Sequence, residues 1–222
     1  MKICVVIPIY NECETVGFVV ESVQNKGLDV IVVNDCSTDE SGVIARERGA
    51  MIIENECRGG KGASLRRGFQ KALEQGYDAV IAMDGDGQHD AEDIVKIVRK
   101  AEVCPVSVVN GTRMANVQGM PFIRLVTNKV MSWMISCVCH QKISDTQCGF
   151  RYVHADILRR ISLASTGYEI ETEILIKSSR QGFPIYSVPI RTIYSNEKSK
   201  VHPVKDTIRF IKYFIKELWN KK

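Results

Sequence analysis

The chain has 222 residues, of which 45% are hydrophobic. This is enough for one substantial core and predicts a single domain over residues 1–202, with an amphipathic helix over residues 203–222. The formal net charge of +4 is too small to indicate a nucleic-acid partner. Because Met1 and Lys2 lead directly into an apolar run without a signal peptide, we expect the eight cysteines to be reduced and the protein to be cytoplasmic.

Short runs rich in valine and isoleucine alternate with stretches of helical periodicity in the first half of the chain. The runs predict strands over residues 3–8, 29–34, 50–54, 78–83 and 105–110. The stretches between them predict helices over residues 13–26, 39–48, 61–75 and 90–101. Runs that are apolar throughout are typical of parallel strands buried on both faces. The pattern predicts an α/β fold with a Rossmann-like, mostly parallel sheet flanked by helices.

The alternation loosens after the fifth strand. Helices are predicted over residues 121–139, 168–181 and 204–220, and a strand over residues 184–190. No repeat or Pro/Ser-rich linker divides the chain, so a second independent domain is not expected. The longest apolar run, over residues 130–139, is shorter than the roughly 20 residues that span a bilayer. No transmembrane helix is therefore predicted.

Polar segments follow three of the predicted strands. They are "PIYNE" at 8–12, "NDCSTD" at 34–39 and "DGDGQHD" at 84–90. In open α/β sheets, ligands bind beyond the carboxyl ends of the strands. We therefore expect these segments to line one rim of the sheet and to form the binding site.

The third segment contains a pair of acids. Asp84 and Asp86 are one residue apart in an extended turn, where both carboxylates can face the same side. A divalent cation relieves their repulsion, and Mg²⁺ or Mn²⁺ takes one or two carboxylates together with phosphate oxygens. Gly85 and Gly87 would let a phosphate approach the backbone. The alternative is a solvated turn, because Asp and Gly are common in turns.

Two other segments have a local structural explanation beside a ligand-binding one. Thr38 and Asp39 suit a helix cap, whereas Asp35 precedes the cap and is a candidate acceptor for a nucleobase or ribose. The stretch "CRGGKGASLRRG" at 57–68 lacks the phosphate-loop spacing. A glycine turn at a helix N-terminus is the favoured interpretation of this stretch.

Seven segments together carry a family resemblance: "VVIPIYNE", "VVNDCSTD", "GGKGASLRRG", "MDGDGQH", "GTR", "SDTQCGFR" and "RTIYSNEKSK". Over residues 2–202 the chain resembles the family 2 glycosyltransferases of GT-A fold. It looks most like their dolichyl-phosphate mannosyltransferase and polyprenyl-phosphate glycosyltransferase branch. The resemblance implies an inverting enzyme with Mg²⁺ or Mn²⁺, a nucleotide-sugar donor of GDP-mannose or UDP-glucose type, and a polyprenyl phosphate acceptor. It leaves open a membrane partner subunit.

The resemblance also implies roles for single residues. Those implied to hold the nucleotide sugar are Pro8, Tyr10, Glu12, Val33, Asp35 and Gly85. Those implied to hold the metal on the diphosphate are Asp84, Asp86 and Gln88. Those implied to contact donor or acceptor phosphates are Arg113, Arg191 and Lys200, with Lys198 as an alternative to the last. The chain departs from the family pattern at Asn34, where Asp is common, and at Cys148, where Ser is common.

The acceptor decides whether the reaction needs a general base. A lipid phosphate is ionised near neutral pH, whereas a hydroxyl of a glycan or small molecule must lose a proton. Asp145 of "SDTQ" is the candidate base in the second case, and the alternative is a structural carboxylate paired with Arg151. A non-catalytic nucleotide-binding module is a further alternative, which the intact acid pair disfavours.

The C-terminal segment is a candidate membrane surface. Its predicted helix has an apolar face, formed by Val204, Ile208, Ile211, Ile215, Leu218 and Trp219. Basic residues lie elsewhere on the helix, as in helices that bind anionic membrane interfaces. The alternative is a helix that packs this face on the domain. The helix predicted over residues 121–139 is a second candidate surface, with Met131, Trp133, Met134 and Ile135.

Overall fold

The computed structural model describes residues 1–115, 117, 119–193, 209–215 and 217. Its strands are β1 Ile3–Ile9, β2 Asp29–Asn34, β3 Met51–Glu54, β4 Ala79–Ala82, β5 Val108–Thr112, β6 Arg151–His154 and β7 Ile185–Pro189. Its helices before residue 193 are α1 Val16–Gln24, α2 Ser41–Glu47, α3 Lys61–Glu74, α4 Ile94–Val103, α5 Phe122–Cys139, α6 Ala155–Arg160 and α7 Ile170–Arg180. A 3₁₀ turn, Ala91–Asp93, leads into α4.

The strands form one sheet in the order β3-β2-β1-β4-β6-β5-β7. Strands β1 to β4 pair in parallel, as do β5 and β7, whereas β6 runs antiparallel to both β4 and β5. This confirms the predicted mostly parallel sheet. The sequence did not predict β6 or α6, because a strand of four residues and a helix of six are too short to show a clear periodicity.

Both faces of the sheet are buried at its centre. The consecutive residues Val5, Val6 and Ile7 of β1 are all 0% exposed, which explains why this strand is apolar throughout. Helix α3 lies very close to the same strand, since a Cβ atom at Gly68 would come within 2.3 Å of Val6 Cγ1. This packing fixes the carboxyl ends of the central strands, where the predicted site lies.

Helix α5 is longer than the apolar run that predicted it. It has 18 residues and a mean hydropathy of 1.2, so by length and composition it is able to cross a membrane. The expectation of no such helix considered residues 130–139 alone, and the helix begins earlier, at Phe122. Only 28% of its residues are buried. Length and composition do not distinguish a spanning helix from one that lies on a surface.

The exposed side of α5 is an apolar stripe, formed by Phe122, Ile123, Val126, Val130 and Trp133. The spacing of three and four residues places these side chains on one face of the helix. Met131 and Ile135, which were predicted to share a membrane surface with Trp133, face the core instead. The stripe is therefore a different face from the one expected.

The described part of the C-terminal segment is helical and packs on the domain. Phe210 and Phe214 are 6% and 7% exposed and belong to the main hydrophobic core. Ile211 and Ile215 of the predicted apolar face are 46% and 50% exposed. These contacts support the alternative in which the helix packs on the domain. The helix packs through Phe210 and Phe214, however, and not through Ile211 and Ile215 of the predicted apolar face. Several residues of the predicted face lie outside the described residues, namely Val204, Ile208, Leu218 and Trp219.

Candidate active site

The three predicted polar segments meet at one edge of the sheet. Strand β1 lies between β2 and β4, so the segments that follow these strands are neighbours. The backbone N–H of Asn11 donates to Ser37 Oγ at 3.0 Å. Thr15 Oγ1 donates to the carbonyl of Gly85 at 2.7 Å. The first bond joins the segments after β1 and β2, and the second joins the segment after β4 to Thr15, just beyond the segment after β1. The three segments therefore lie at a common rim, as predicted.

The acid pair follows β4 at this rim. Asp84 Oδ1 lies 2.6 Å from the ammonium of Lys61, and Asp84 Oδ2 lies 3.5 Å from His89 Nε2. Asp86 accepts a hydrogen bond from the backbone N–H of Gln88 at 3.0 Å. Within the described part of the chain, no basic side chain pairs with Asp86. The two acids, one residue apart, therefore have very different surroundings.

These surroundings shift the two carboxyl groups in opposite directions. Burial opposes the ionisation of Asp84, but the charge of Lys61 and the contact with His89 outweigh it and hold the pKa of Asp84 below its usual range. Burial, and then the charge of Asp84, raise the pKa of Asp86. The repulsion between the two carboxylates is therefore only partly relieved by the protein's own cations.

The acid pair fits a divalent cation. Mg²⁺ and Mn²⁺ prefer oxygen ligands and complete their coordination with water and substrate phosphate. No group of three His, Cys, Asp or Glu side chains able to hold a metal occurs among the described residues. Asp84 and Asp86 stay the predicted ligands, and a cation bound by these two carboxylates would leave positions for phosphate and water. The metal contact predicted for Gln88 stays a prediction, since its backbone makes the observed bond.

Two glycines are required by close packing at the site. A Cβ atom at Gly85 would lie 2.8 Å from Ile9 Cγ2, so packing alone explains this glycine. A Cβ atom at Gly149 would lie 2.6 Å from Asp84 Oδ2 and 2.9 Å from Lys61 Nζ. Gly149 therefore makes room for the ion pair between Asp84 and Lys61.

Asp35 anchors the loop between β3 and α3. Its carboxylate accepts hydrogen bonds from Asn55 Nδ2 at 2.7 Å and from the backbone N–H groups of Gly59 and Gly60, both at 2.8 Å. A carboxylate has about four acceptor positions, so most of those on Asp35 are filled. The predicted donor contact of Asp35 stays a prediction, and the loop contact is an additional role.

The glycine turn before α3 directs its backbone amides at protein groups. The N–H groups of Gly62 and Ala63 donate to the Thr166 carbonyl at 2.9 and 3.3 Å. The two preceding glycines donate to Asp35, as described above. This arrangement supports the interpretation of residues 57–68 as a structural turn, and not as a phosphate loop.

Arg113 and Asp145 form a buried pair. The Nε and Nη2 atoms of Arg113 donate to the two carboxylate oxygens at 2.8 and 2.9 Å, and the Arg113 backbone N–H donates at 3.1 Å. Asn128 Nδ2 adds a further bond at 2.7 Å. Asp145 is 0% exposed, and although burial opposes its ionisation, these bonds lower its pKa. The carboxylate therefore has neither the access nor the basicity to accept a proton from a sugar hydroxyl.

The predicted partner of Asp145 was wrong. Arg151 is fully buried elsewhere, where its Nε donates to Asn110 Oδ1 at 2.7 Å and its Nη1 donates to the Glu171 carbonyl at 2.5 Å. Two of the five guanidinium N–H groups of Arg113 bind Asp145, so the predicted phosphate contact would use those on Nη1 or the second one on Nη2. That contact stays a prediction.

Of the other predicted phosphate contacts, one pairs with an acid at the start of the turn before α4 and the others lie beyond the described residues. The Nη2 atom of Arg191 lies 3.0 Å from Asp90 Oδ2, and its side chain is 59% exposed. A phosphate contact by Arg191 would therefore compete with Asp90. Lys200 and Lys198 lie outside the described residues.

The predicted nucleoside contacts lie at the same rim, with one exception. Pro8, Tyr10 and Glu12 are half-buried, and the Arg58 guanidinium lies 3.7 Å from the centre of the Tyr10 ring. Val33 is 0% exposed and belongs to the core beneath α3. Its side chain cannot line an open site, because β2 is buried on both faces.

The sequence comparisons decide the family. The family model described as Glycosyl transferase family 2 matches residues 4–163. The chain belongs to glycosyltransferase family 2. It is 31% identical over 207 residues to undecaprenyl-phosphate mannosyltransferase of Micrococcus luteus, covering 86% of this chain and 83% of the relative. It is 30% identical over 216 residues to the UDP-N-acetylglucosamine–dolichyl-phosphate N-acetylglucosaminyltransferase of Methanococcus voltae, covering 87% and 86%.

The fold of this glycosyltransferase is also found in solved structures. Glucosyl-3-phosphoglycerate synthase of Mycobacterium tuberculosis, in complex with Mn²⁺, UDP and phosphoglyceric acid, superposes with a TM-score of 0.73. The match covers 98% of this chain and 77% of the synthase, at 20% sequence identity. The likeness confirms the predicted GT-A fold.

Sequence reasoning missed three residues that lie next to the acid pair or to its lysine partner. Lys61 lies between two carboxylates, at 2.6 Å from both Asp84 Oδ1 and Glu171 Oε1. His89 adjoins Asp84, and its Nδ1 atom is buried without a hydrogen-bond partner in the described part of the structure. The lysine inside "GGKG" and the histidine inside "DGQH" were visible signals, whereas Glu171 is distant in sequence and gave none.

Proposed function

We propose that this glycosyltransferase moves a hexose from a nucleotide sugar of GDP-mannose or UDP-glucose type to a polyprenyl phosphate, with a divalent cation and with inversion at the anomeric carbon. The observation that carries the acceptor class is the buried Asp145, whose carboxylate is held by Arg113. A hydroxyl acceptor needs a base, and the candidate base is not accessible. A phosphate acceptor is already ionised and needs none. The two relatives are named as enzymes that act on undecaprenyl phosphate and dolichyl phosphate, which supports a polyprenyl phosphate acceptor.

Residues at the rim supply binding and charge for this reaction. A divalent cation held by Asp84 and Asp86 would neutralise charge that develops on the departing nucleoside diphosphate. Lys61 places a further positive charge beside the acid pair. Asp35 keeps the loop with Gly59 and Gly60 in place next to the predicted nucleoside site. Direct attack by the acceptor phosphate in a single displacement inverts the sugar configuration.

The proposed acceptor lies in a membrane, and α5 offers a surface to meet it. Its exposed face carries large apolar side chains, including Phe122 at 79% and Trp133 at 69% exposure. Arg124 and Lys129 of the same helix are also exposed and would be attracted to anionic lipid headgroups. We propose that α5 lies on the cytoplasmic face of the membrane and holds the enzyme there as a peripheral protein.

One series of incubations tests the proposed function. Purified protein is incubated with Mg²⁺ or Mn²⁺, a panel of radiolabelled nucleotide sugars, and either polyprenyl phosphate in liposomes or soluble glycans. We expect cation-dependent label in the lipid phosphate fraction with one donor class. An Asp86→Asn variant serves as the control, because it loses a metal ligand at the surface of the site. Transfer to soluble glycans alone would show a hydroxyl acceptor, and nucleotide binding without transfer would show a non-catalytic module.

A further inference from the structure

The Lys61 ammonium contacts Asp84, which is also a predicted ligand of the divalent cation. The ammonium bridges Asp84 Oδ1 and Glu171 Oε1 at 2.6 Å each, and the Lys61 side chain is only 14% exposed. The Glu171 side chain is 9% exposed. A Cβ atom at residue 149 would lie 2.9 Å from the ammonium and 2.6 Å from Asp84 Oδ2, so Gly149 leaves room for their contact. Lys61 is thus built into the predicted metal site.

The backbone under Lys61 is fixed, so only its side chain is able to move. The residue before it, Gly60, donates to Asp35 at 2.8 Å, and the residue after it, Gly62, donates to the Thr166 carbonyl at 2.9 Å. A lysine side chain is a flexible four-carbon stem with a compact charge and binds phosphate as a point charge. The ammonium can therefore change partners while α3 stays in place.

A cation bound by Asp84 and Asp86 would share one carboxylate with this ammonium. Two positive charges on the same carboxylate repel each other, so each weakens the binding of the other. The diphosphate of a nucleotide changes this balance, because its oxygens accept both the cation and the ammonium. When no nucleotide is bound, Glu171 holds the ammonium close to the acid pair.

We infer that Lys61 couples the binding of the divalent cation to the binding of the nucleotide diphosphate. Without nucleotide, the ammonium competes with the cation for Asp84 and keeps cation binding weak. With nucleotide, the ammonium moves to the phosphates and releases Asp84 to the cation. By linkage, the cation strengthens nucleotide binding by the same factor. This inference rests on the proposed function, since it presumes a cation-dependent nucleotide-sugar site.

The competing explanation is that Lys61 only ties structure together. In that case the ammonium stays between Asp84 and Glu171 in every state, and its removal loosens the contact between α3 and α7. The two explanations predict opposite effects of Lys61→Met on cation binding. Competition predicts tighter binding, whereas a structural tie predicts weaker or unchanged binding with a less stable fold.

The experiment measures Mn²⁺ binding by electron paramagnetic resonance, with no nucleotide, with UDP and with GDP. For the wild type, we expect one of the nucleotides to tighten Mn²⁺ binding by about tenfold, within the usual range of coupling between sites. For Lys61→Met, we expect Mn²⁺ alone to bind several times more tightly and the effect of the nucleotide to fall below about twofold. Lys96→Met is the matched control, because Lys96 pairs with Asp93 and touches neither Asp84 nor Glu171.

The outcomes separate the inference from the proposed function. Lys61→Met with wild-type affinity and wild-type coupling overturns the inference and leaves the proposed function intact. A wild type that binds no Mn²⁺ with either nucleotide overturns the metal-dependent function itself. An equal tightening in Lys96→Met would show a general charge effect and also overturns the inference.

A second variant keeps the test decisive if Lys61→Met does not fold. Glu171→Gln removes the other anchor of the ammonium, so Lys61 then pairs with Asp84 alone. We expect Mn²⁺ without nucleotide to bind this variant more weakly than the wild type, with a larger tightening by the nucleotide. Unchanged or tighter Mn²⁺ binding in Glu171→Gln contradicts the competition. Circular dichroism of each variant shows whether it is folded.

Discussion

Replacing Asp145 by asparagine distinguishes a structural carboxylate from a catalytic base. Asparagine has nearly the same shape but lacks the charge, so Arg113 would keep its place with its positive charge buried and unpaired. Asp145 is 0% exposed and the Arg113 side chain is 10% exposed, so water screens the pair very little. Removing one partner of a buried pair typically destabilises a protein by about 3–5 kcal/mol.

This change is large enough to measure by thermal or urea unfolding. For a chain of this size, each kcal/mol lowers the melting temperature by about 2–4 °C, so Asp145→Asn should lower it by roughly 6–20 °C. The pKa of Asp145 is lowered in the folded state, so its contribution is present above the unfolded pKa of about 3.9 and is lost as pH falls through the folded value. The difference in stability between the wild type and Asp145→Asn should therefore be largest near neutral pH and decrease in acid.

Asp156→Asn is the matched control for this prediction. Asp156 also pairs with an arginine, Arg159, at 2.8 Å, but its side chain is 48% exposed. Its substitution should change stability by no more than about 0.5 kcal/mol. The structural role of Asp145 is refuted if Asp145→Asn has the melting temperature of the wild type but transfers no sugar.

Three further predictions concern the site and the core. Asp86→Asn should abolish transfer without lowering the melting temperature, because Asp86 lies at the rim; near-normal turnover at saturating Mn²⁺ would contradict the metal assignment. Gly149→Ala should reduce kcat strongly, because the added Cβ would lie 2.6 Å from Asp84 Oδ2, and an unchanged kcat would show that the site has room. Phe210→Ala should destabilise the protein by about 3–5 kcal/mol in urea unfolding, whereas the exposed Ile215→Ser should change stability by at most about 0.5 kcal/mol. Equal effects of the last two would mean that the helix does not pack through its phenylalanines.

The fold was largely predictable because its signals are local. Continuous apolar runs and helical periodicity located most of the elements, with boundaries shifted by a few residues. Strand β6 was missed because it has four residues, Arg151–His154, and begins with an arginine. The burial of that arginine depends on Asn110 and two backbone carbonyls, which accept its hydrogen bonds. Two of these acceptors, Asn110 and the Glu171 carbonyl, are distant in sequence.

The site was predictable only in part, for the same reason. The acids of the rim follow a strand directly, so their position could be inferred from the order of the elements. Their partners come from distant segments, as Lys61 and Glu171 are 110 residues apart in sequence. Arg113 and Asp145 were both singled out, but their pairing depends on how the loops after β5 and before β6 meet. Spacing along the chain contains no such information.

The electrostatics of the rim explain why acids follow a buried strand. Burial and the charge of Asp84 raise the pKa of Asp86, so ionisation of Asp86 is less favourable in the folded protein than in the unfolded chain. Carboxylates with a perturbed pKa are typical of functional sites, where a side chain can serve ligand binding at a cost to folding. Asp86→Asn removes the repulsion, so it should not reduce stability while it removes activity. The opposite pKa shifts of Asp84 and Asp86 therefore distinguish the carboxylate that is paired with Lys61 from the one that has no basic partner among the described residues.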